Sequence, residues 1–235
     1  SDGVITTLKA GTARIKAVLL EDDDWQESEA FYDLTVNKAD DSKFVFAVPA
    51  PDPIIYSVDG TFSNTASGGS GTGSISYEIL NGNDYASIDT DGTLHFTKAG
   101  TVTVKATKAA DDRYGEESAT YNLTIKKAQQ AALTFAAINP EITYAPDWTY
   151  TVSVAGGSGT GPLSYYILDN GNNVTENDIA SIDTVTGVVS KKGYKTGVVK
   201  IVAVKAADDS YEATSVTNDL TIKKAEQTGV QFDKN

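Results

Sequence analysis

Short apolar alternations separated by turn residues run along most of the chain. Ala13, Ile15 and Ala17 alternate with basic residues, and Tyr150, Val152 and Val154 alternate with Thr and Ser in the same way. A period of two is typical of a half-buried β-strand. No stretch of about 11 residues or more carries the apolar period of an amphipathic helix. The pattern therefore predicts an all-β protein with no helical domain.

The longest pattern in the chain is an internal repeat. Residues 91–128 recur without a gap as residues 2–39, and Tyr121 follows Tyr32 by 89 residues. The next recurrence is longer, because Leu220 follows Leu123 by 97 residues. Each copy carries a pair of Asp residues, an aromatic residue and a closing Leu-Thr-Ile/Val-x-Lys-Ala run. A fixed long period indicates tandem domains.

The repeat predicts four pieces. Residues 1–39 (the N-terminal segment) are the last three strands of a repeat, beginning with Val4–Leu8. Residues 40–128 (repeat 1) and 129–225 (repeat 2, with an acidic loop insertion at 169–178) are complete. Residues 226–235 are the first strand of a further repeat. Linkers of about five residues predict stiff end-to-end stacking.

A half-repeat cannot stand alone. A segment of fewer than about 40 residues buries too little apolar surface to fold without disulfides or metals. The N-terminal segment is therefore expected to lean on its neighbour or to be completed by another chain. The absence of methionine indicates that the sequence is a piece of a longer protein.

A family resemblance rests on four runs of repeat 1: Ala86-Ser-Ile-Asp89, Lys98-Ala-Gly-Thr101, Ala109-Ala-Asp-Asp112 and Leu123-Thr-Ile125. They resemble the bacterial immunoglobulin-like (Big-type) repeats, which occur in tandem in large surface adhesins and other exported proteins. The resemblance covers essentially the whole chain. It implies immunoglobulin-like β-sandwich domains stacked end to end, located outside the cell or on a bacterial surface.

One residue departs from the repeat pattern. Asn64 falls where repeat 2 has Val152, a predicted core residue. Burying an amide costs free energy unless its hydrogen bonds are made. We therefore expect either looser packing around Asn64 or a buried partner for its side chain.

Composition excludes several function classes. The chain has 32 acidic and 19 basic residues, a net charge of −13, which disfavours nucleic acid because phosphate binding needs clustered basic side chains. It has no cysteine, so it holds neither a disulfide nor a thiolate metal site. No apolar run reaches the roughly 18 residues of a membrane span, so no membrane insertion is expected in this segment.

No motif points to catalysis. The two glycine loops, Gly68–Gly73 and Gly156–Gly161, lack the Lys-Ser/Thr and the following helix of a phosphate-binding loop. They are predicted to be tight connections that need positive φ angles. His95, the single histidine, is predicted to lie on the surface of a strand. We expect no enzymatic activity and no cofactor other than a cation.

Paired carboxylates are the candidates for that cation. Calcium takes six to eight oxygen ligands, and the candidate ligands are Asp111, Asp112, Asp208 and Asp209, with Asp22–Asp24 in the first copy. Adjacent carboxylates point in different directions, and Asp also forms turns through its own backbone. A turn role is favoured, and calcium stays the alternative.

Aromatic residues supply a second class of candidates. Trp25, Tyr114 and Tyr211 share one repeat position and are predicted to close an end of the sandwich. The alternative is an exposed aromatic row for sugar stacking. Repeat 2 is denser in aromatic residues, with Trp148, Tyr150, Tyr165 and Tyr166. The 169–178 insertion is a further candidate, because binding is often grafted on loops of a rigid scaffold.

Three functions follow from these patterns. The leading hypothesis is a non-enzymatic stalk of repeats whose partners are its neighbouring repeats. The first alternative is a module that binds a host or surface glycan or protein through the insertion or exposed tyrosines. The second is a filament subunit that self-associates when another chain completes the N-terminal half-repeat.

Overall fold

The structure, a computed structural model, describes residues 3–40 and 43–229. The regular secondary structure of these residues consists entirely of β-strands, which confirms the all-β prediction. The chain divides into two compact units, Ser1–Ile125 and Lys126–Asn235. None of the described segments forms a helix long and apolar enough to cross a membrane. Residues 230–235 of the predicted further strand lie outside the described residues.

The N-terminal segment forms a hairpin of two strands. β1 (Gly11–Leu19) pairs antiparallel with β2 (Ser28–Val36), from Gly11 opposite Val36 to Leu19 opposite Ser28. The third predicted strand, Val4–Leu8, is not formed. Its equivalent in repeat 1 is a strand that pairs on both sides, whereas no strand among the described residues pairs with Val4–Leu8. A strand without partners leaves its backbone groups unpaired.

Repeat 1 follows, over its described residues 40 and 43–128, as nine strands: β3 (Val45–Phe46), β4 (Ile54–Ile55), β5 (Thr61–Ser63), β6 (Ala66–Ser67), β7 (Ile75–Asn81), β8 (Ala86–Ile88), β9 (Thr93–Phe96), β10 (Gly100–Lys108) and β11 (Glu117–Lys126). One sheet has the order β4-β11-β10-β7 and the other has the order β5-β9-β8. β3 and β6 form a further antiparallel pair.

The core of repeat 1 lies between its sheets, where the period of two places apolar side chains. In β10, Val102, Val104 and Ala106 are completely buried. Each faces a residue of β11 across the antiparallel ladder, as Val104 faces Tyr121. Leu94 of the opposite sheet packs in the same cluster. The alternation predicted from sequence therefore becomes the two inner faces of a sandwich.

Repeat 2 has the same plan with one strand more: β12 (Thr134–Phe135), β13 (Glu141–Thr143), β14 (Thr149–Thr151), β15 (Val154–Ala155), β16 (Leu163–Asp169), β17 (Asn172–Val174), β18 (Ala180–Ile182), β19 (Val188–Lys191), β20 (Gly197–Lys205) and β21 (Thr214–Lys223). The sheets have the orders β13-β21-β20-β16-β17 and β14-β19-β18. β13 runs parallel to β21, with Ile142 opposite Ile222.

Each repeat buries one asparagine at a different place. Asn64 is 2% exposed; its Oδ1 accepts a bond from the Val48 amide and its Nδ2 donates to the Val48 carbonyl, at 3.0 and 2.9 Å. The Asn64 side chain therefore does find a hydrogen-bonding partner, which is the backbone of the exposed residue Val48. In repeat 2 the position equivalent to Asn64 is the buried Val152. The buried asparagine of repeat 2 is instead Asn218, which lies on β21.

Asn218 forms hydrogen bonds with the equivalent backbone stretch of repeat 2, but from a different strand than the position of Asn64. Its Nδ2 donates to the carbonyl of Ala137, the repeat-2 equivalent of Val48, and its Oδ1 accepts from the Asn139 amide, at 2.7 and 3.0 Å. In repeat 1 the position of Asn218 is Tyr121. In both repeats, one buried side-chain amide thus forms hydrogen bonds with the backbone N–H and C=O groups of the bend after the first strand.

Candidate functional site at the acidic turns

Each copy of the repeat contains one acidic turn: Asp22–Trp25, Asp111–Tyr114 and Asp208–Tyr211. In all three the amide of the first Asp donates to the carbonyl of the aromatic residue, at 2.9, 3.1 and 3.0 Å. The Oδ1 atom of that Asp accepts from the amides two and three residues ahead, at 2.8 to 3.0 Å. The first Asp is therefore the residue that builds the turn.

The other carboxylate oxygen ties the turn to the glycine loop. Asp111 Oδ2 accepts from the Thr72 amide at 2.6 Å and from the Thr72 hydroxyl at 3.1 Å. Asp208 Oδ2 accepts from Thr160 in the same way, at 2.5 and 3.1 Å. Both oxygens of each carboxylate are thus used by N–H and O–H donors of the protein.

The glycine loops need glycine because they lie close to the strand that precedes the acidic turn. Gly68 and Gly69 have φ angles of 96° and 72°, as the sequence predicts for a tight connection. A Cβ atom on Gly73 would lie 1.7 Å from the carbonyl oxygen of Ala109, and one on Gly161 would lie 2.2 Å from that of Ala206. These glycines let the loop lie against the strand end before the acidic turn.

The hydrogen bonds lower the pKa of both turn-forming carboxyls. The Thr72 amide, followed by the Arg113 and Tyr114 amides, holds the pKa of Asp111 far below its ordinary value. The Ser210 amide, with those of Thr160 and Tyr211, lowers the pKa of Asp208 to about 2. Donors that contact the charged form favour ionisation. Both carboxyls are anionic at neutral pH.

The acidic turn also holds the linker that enters its repeat. The Ala39 amide donates to the Arg113 carbonyl at 2.8 Å, and the Gly115 amide donates to the Ala39 carbonyl at 2.9 Å. This is a parallel β-bridge between Ala39 and Tyr114. Lys38 of the linker lines the same cleft as Asp111 and Asp112.

Repeat 2 contains the same parallel bridge between a linker residue and the acidic turn, hereafter the linker bridge. The Ala128 amide donates to the Ser210 carbonyl and the Glu212 amide donates to the Ala128 carbonyl, both at 2.9 Å. Ala128 pairs in parallel with Tyr211. The Lys-Ala linker is therefore a short strand held by the turn of the repeat that follows it.

The turn of repeat 1 contacts the N-terminal segment as well. The Ala10 amide donates to the Asp112 carbonyl at 2.9 Å. The Arg113 Nε donates to the Leu8 carbonyl at 3.1 Å. Within the first unit, one acidic turn thus binds both the linker and the segment before it.

The calcium candidates lie in two different situations. Asp111 and Asp208 are the bonded turn residues described above, whereas Asp112 and Asp209 are exposed neighbours. Within residues 3–40 and 43–229, no group of three or more His, Cys, Asp and Glu side chains is placed to hold a metal ion. The structure thus gives Asp111 and Asp208 a turn role.

The aromatic candidates divide between core and surface. Tyr165 and Trp148 are 7% and 6% exposed and belong to the core of repeat 2. Trp25 is 75% exposed, whereas Tyr114 and Tyr211 at the same repeat position are partly buried. The most exposed aromatic side chain of repeat 2, Tyr194 at 89%, was not among the sequence candidates, because nothing in its local pattern distinguishes it.

Lys191 links Tyr194 to a second ring. Its Nζ lies 4.8 Å from the ring centroid of Tyr194 and 5.8 Å from that of Tyr144. A cation over aromatic faces is an attractive contact. The result is a surface patch of two rings and one lysine, hereafter the Tyr194 patch.

The insertion is a strand and a turn rather than a loop alone. Asn170 and Gly171 have φ angles of 48° and 82°, the combination of a two-residue hairpin turn, and β17 pairs with β16 beyond it. Asp178 accepts a bond from Lys195 at 2.6 Å, and Glu176 pairs with Lys192. The predicted loop therefore adds an edge strand, and the carboxylates of Glu176 and Asp178 that follow this strand contact lysines of repeat 2.

His95 lies on the surface of β9, as predicted. Its Nε2 lies 2.8 Å from Asp89 Oδ2, and its side chain is 48% exposed. Asp89 lies in the turn between β8 and β9, so the pair joins a strand to its own turn. This contact is structural in kind.

No protein-family profile and no curated protein sequence matches this chain. The solved structures similar to it include cadherin extracellular repeats. Mouse clustered PcdhgC3 EC1-3 has a TM-score of 0.39 and 17% identity, covering 94% of this chain and 78% of its own. Mouse cadherin-23 EC22-24 has a TM-score of 0.34 and 15% identity, covering 93% and 76%. Drosophila N-cadherin EC1-4 has a TM-score of 0.32 and 14% identity, covering 91% and 58%.

Proposed function

We propose that this chain is a non-enzymatic segment of an extended stalk, built from immunoglobulin-like repeats of a bacterial cell-surface or secreted protein. The observation that carries the proposal is the linker bridge. Ala39 and Ala128 occupy the same repeat position and each makes two backbone hydrogen bonds to the acidic turn of the following repeat. A linker held in this way transmits force rather than acting as a free hinge.

The strand order suits a load applied along the chain. β13 lies near the start of repeat 2 and β21 at its end, and the two strands run parallel. Pulling the repeat from its two ends draws these neighbours in opposite directions, so their hydrogen bonds are loaded together in shear. β20 and β21 add a ladder of nine residue pairs behind them.

Small-angle X-ray scattering tests the stalk directly. The 235-residue chain is expected to scatter as a rod. Ala128→Pro removes the amide donor of one linker bridge and is expected to broaden the distribution of interatomic distances. Ala225→Pro is the matched control, because it changes the same repeat position beyond the last strand of repeat 2. A compact scattering envelope for the unaltered chain overturns the proposal.

A second candidate function is binding of a glycan or protein by repeat 2. The observation that favours it is the Tyr194 patch, in which Tyr194 is 89% exposed beside a lysine. Flat, exposed rings suit sugar stacking, and aromatic residues are enriched where proteins bind partners. A glycan array with the intact chain and with Tyr194→Ala tests it. Hits lost on substitution support the candidate, and an array without hits counts against glycan binding.

A further inference from the structure

Two connections of repeat 2 are longer than their counterparts in repeat 1. Between β16 and β18 the chain has ten residues (170–179), whereas four residues (82–85) join β7 to β8. Between β19 and β20 it has five residues (192–196), whereas three residues (97–99) join β9 to β10. Connections on a rigid scaffold are where binding residues are commonly placed, so these two connections are the places to look for a function that repeat 1 lacks.

The two long connections contact each other. Asp178 Oδ2 accepts a hydrogen bond from Lys195 Nζ at 2.6 Å, and Glu176 forms an ion pair with Lys192. The Lys192 amide also donates to the Ile179 carbonyl at 3.1 Å. The fold therefore brings the extra residues of repeat 2 together through both side chains and backbone.

An open cleft of about 700 Å³ lies where the two connections meet. Its volume is within the range of about 300–1,000 Å³ that is typical of small-molecule sites. Among the described residues, its charged lining consists of Asp169, Glu176, Asp178, Lys192 and Lys195. Tyr194 stands between the two lysines in the sequence and is 89% exposed. One connection thus supplies both polar lining groups and an exposed aromatic ring.

Repeat 1 fills the corresponding place with a tyrosine. Tyr85, the equivalent of Ile179, packs against the core of repeat 1, and its carbonyl accepts from the Thr97 and Lys98 amides at 2.8 and 3.3 Å. A Cβ atom on Gly100 would lie 2.4 Å from the Tyr85 ring. In repeat 2 the smaller Ile179 lines the cleft instead. The loss of the ring at this position leaves space for the cleft.

The charges of the cleft favour an uncharged ligand. At neutral pH an anion would meet three carboxylates, in a chain whose net charge is −13. A cation would meet the ammonium groups of Lys192 and Lys195. Like charges brought together in this way cost binding free energy. A polar ligand without charge avoids both penalties.

The two ion pairs suit the hydroxyl groups of a sugar. An ammonium group has three donors and a carboxylate has about four acceptor sites, so a pair that shares one hydrogen bond retains both kinds of group for a ligand. A hydroxyl donates and accepts, and neighbouring hydroxyls on a pyranose ring can therefore bind the acceptor and the donor of one pair together. The flat ring of Tyr194 offers an apolar surface to the C–H face of a pyranose.

We propose that this cleft, together with Tyr194, binds an uncharged oligosaccharide. One pyranose stacks on Tyr194, and hydroxyls of the neighbouring pyranose bind the Asp178–Lys195 and Glu176–Lys192 pairs. The inference rests on the second candidate function, glycan or protein binding by repeat 2, and assigns to it a ligand class and further residues. It does not depend on the stalk proposal.

Affinity electrophoresis of the full chain tests the ligand class. Native gels contain mannan, dextran or galactomannan as uncharged probes and alginate as an acidic probe. Migration of the intact chain relative to a non-binding reference protein is expected to be retarded by at least one uncharged polysaccharide. Retardation by alginate alone overturns the assignment of an uncharged ligand. Retardation by no polysaccharide overturns both this inference and glycan binding by repeat 2.

Substitutions of one ion pair test the cleft. Asp178→Ala and Lys195→Ala are each expected to weaken binding to the retarding polysaccharide about tenfold, the effect of losing a hydrogen bond to a charged group. Both side chains are mostly exposed, at 80% and 66%, so the fold is expected to be retained. Asp219→Ala and Lys200→Ala are the matched controls, because they break an Asp–Lys pair of the same 2.6 Å length on β21 and β20. Equal weakening by both sets contradicts the proposal.

Two further variants separate the cleft from the exposed ring. If Tyr194→Ala abolishes retardation while Asp178→Ala and Lys195→Ala leave it unchanged, the cleft assignment is wrong and the second candidate function stands. Ile179→Tyr introduces the side chain that repeat 1 has at this position, beside Gly197, the equivalent of Gly100. It is expected to fill the cleft and abolish retardation with an unchanged melting temperature. Unaltered binding by this variant contradicts the proposal.

Discussion

Asn64 and Val48 are joined by two hydrogen bonds, so that one buried side-chain amide satisfies both backbone groups of a residue in the bend after β3. Val152 occupies the equivalent position of Asn64 in repeat 2 and is also buried. An apolar residue is therefore tolerated at this position only where another side chain forms the hydrogen bonds with the backbone of the bend. In repeat 2 that group is Asn218.

Asn64→Val is expected to destabilise repeat 1 although it makes the core more apolar. The substitution leaves the amide and carbonyl of Val48 without their partner, at a cost of about 2–4 kcal/mol. Differential scanning calorimetry of the full chain is expected to show a lower transition temperature for repeat 1 and an unchanged one for repeat 2. The matched control is Val152→Ile, a small apolar change at the equivalent position. A gain in stability from Asn64→Val contradicts the role given to Asn64.

Gly73→Ala is expected to destabilise repeat 1 by about 3 kcal/mol, as overpacking against rigid backbone does. The added Cβ would lie 1.7 Å from the Ala109 carbonyl oxygen, so the glycine loop must move away from the acidic turn. Gly115→Ala serves as control, because its Cβ would meet only the Ala39 carbonyl oxygen at 3.8 Å. Urea denaturation measures both variants, and equal effects contradict the prediction.

Acid is expected to loosen the acidic turns. The folded-state pKa of Asp208 is about 2, below the ordinary value of 3.8. A carboxyl with a depressed pKa contributes stability that is fully present above its unfolded pKa and is lost as pH falls through the folded value. The contribution of Asp208 is therefore expected to disappear between about pH 4 and pH 2.

Asp208→Asn tests the assignment of this acid loss. The variant keeps a carbonyl oxygen for the turn amides but replaces the oxygen that accepts from Thr160 with a donor. Its stability is expected to be lower at pH 7 and less dependent on pH between 4 and 2 than that of the unaltered chain. Equal pH dependence of the two proteins contradicts the assignment to Asp208.

Chelation of calcium is expected to leave the melting temperature unchanged. Both carboxylate oxygens of Asp111 and of Asp208 accept bonds from protein N–H and O–H groups, and these donors occupy the sites a cation would need. Thermal unfolding with excess calcium and with excess EGTA checks this, with magnesium as the ionic-strength control. A midpoint that rises with calcium alone restores Asp111 and Asp208 as ligands.

The sequence predicts the long strands well because their pattern is local. Val102, Val104 and Ala106 alternate with polar residues, and this period alone places them on one face. It does not say which of two faces is the core. The sequence therefore makes Tyr165 and Tyr166 equal candidates for the core, and the structure buries Tyr165 and leaves Tyr166 partly exposed. The Asn170-Gly171 pair is a hairpin signal, and it was the available clue to β17 within the acidic insertion.

The candidate site is harder to predict from sequence, because its contacts join residues that are far apart in the chain. Thr72 and Asp111 are 39 residues apart, and no local period connects them. The joint recurrence of a Gly-Thr-Gly loop and an Asp pair in both repeats was the only sign that the two belong together. The linker bridge is harder still to predict, because it uses backbone atoms of Ala39 and Ala128, which any residue except proline supplies.

The different positions of the buried asparagines make the two sandwiches chemically incompatible. If β21 paired with the sheets of repeat 1 during folding, Asn218 and Asn64 would compete for one stretch of backbone, and one amide would stay buried without partners. If β11 paired with repeat 2, Tyr121 would replace Asn218 and the Ala137 carbonyl would lose its donor. Adjacent domains of similar sequence are prone to such exchange. We therefore expect each buried amide to disfavour the exchange of strands between the two repeats.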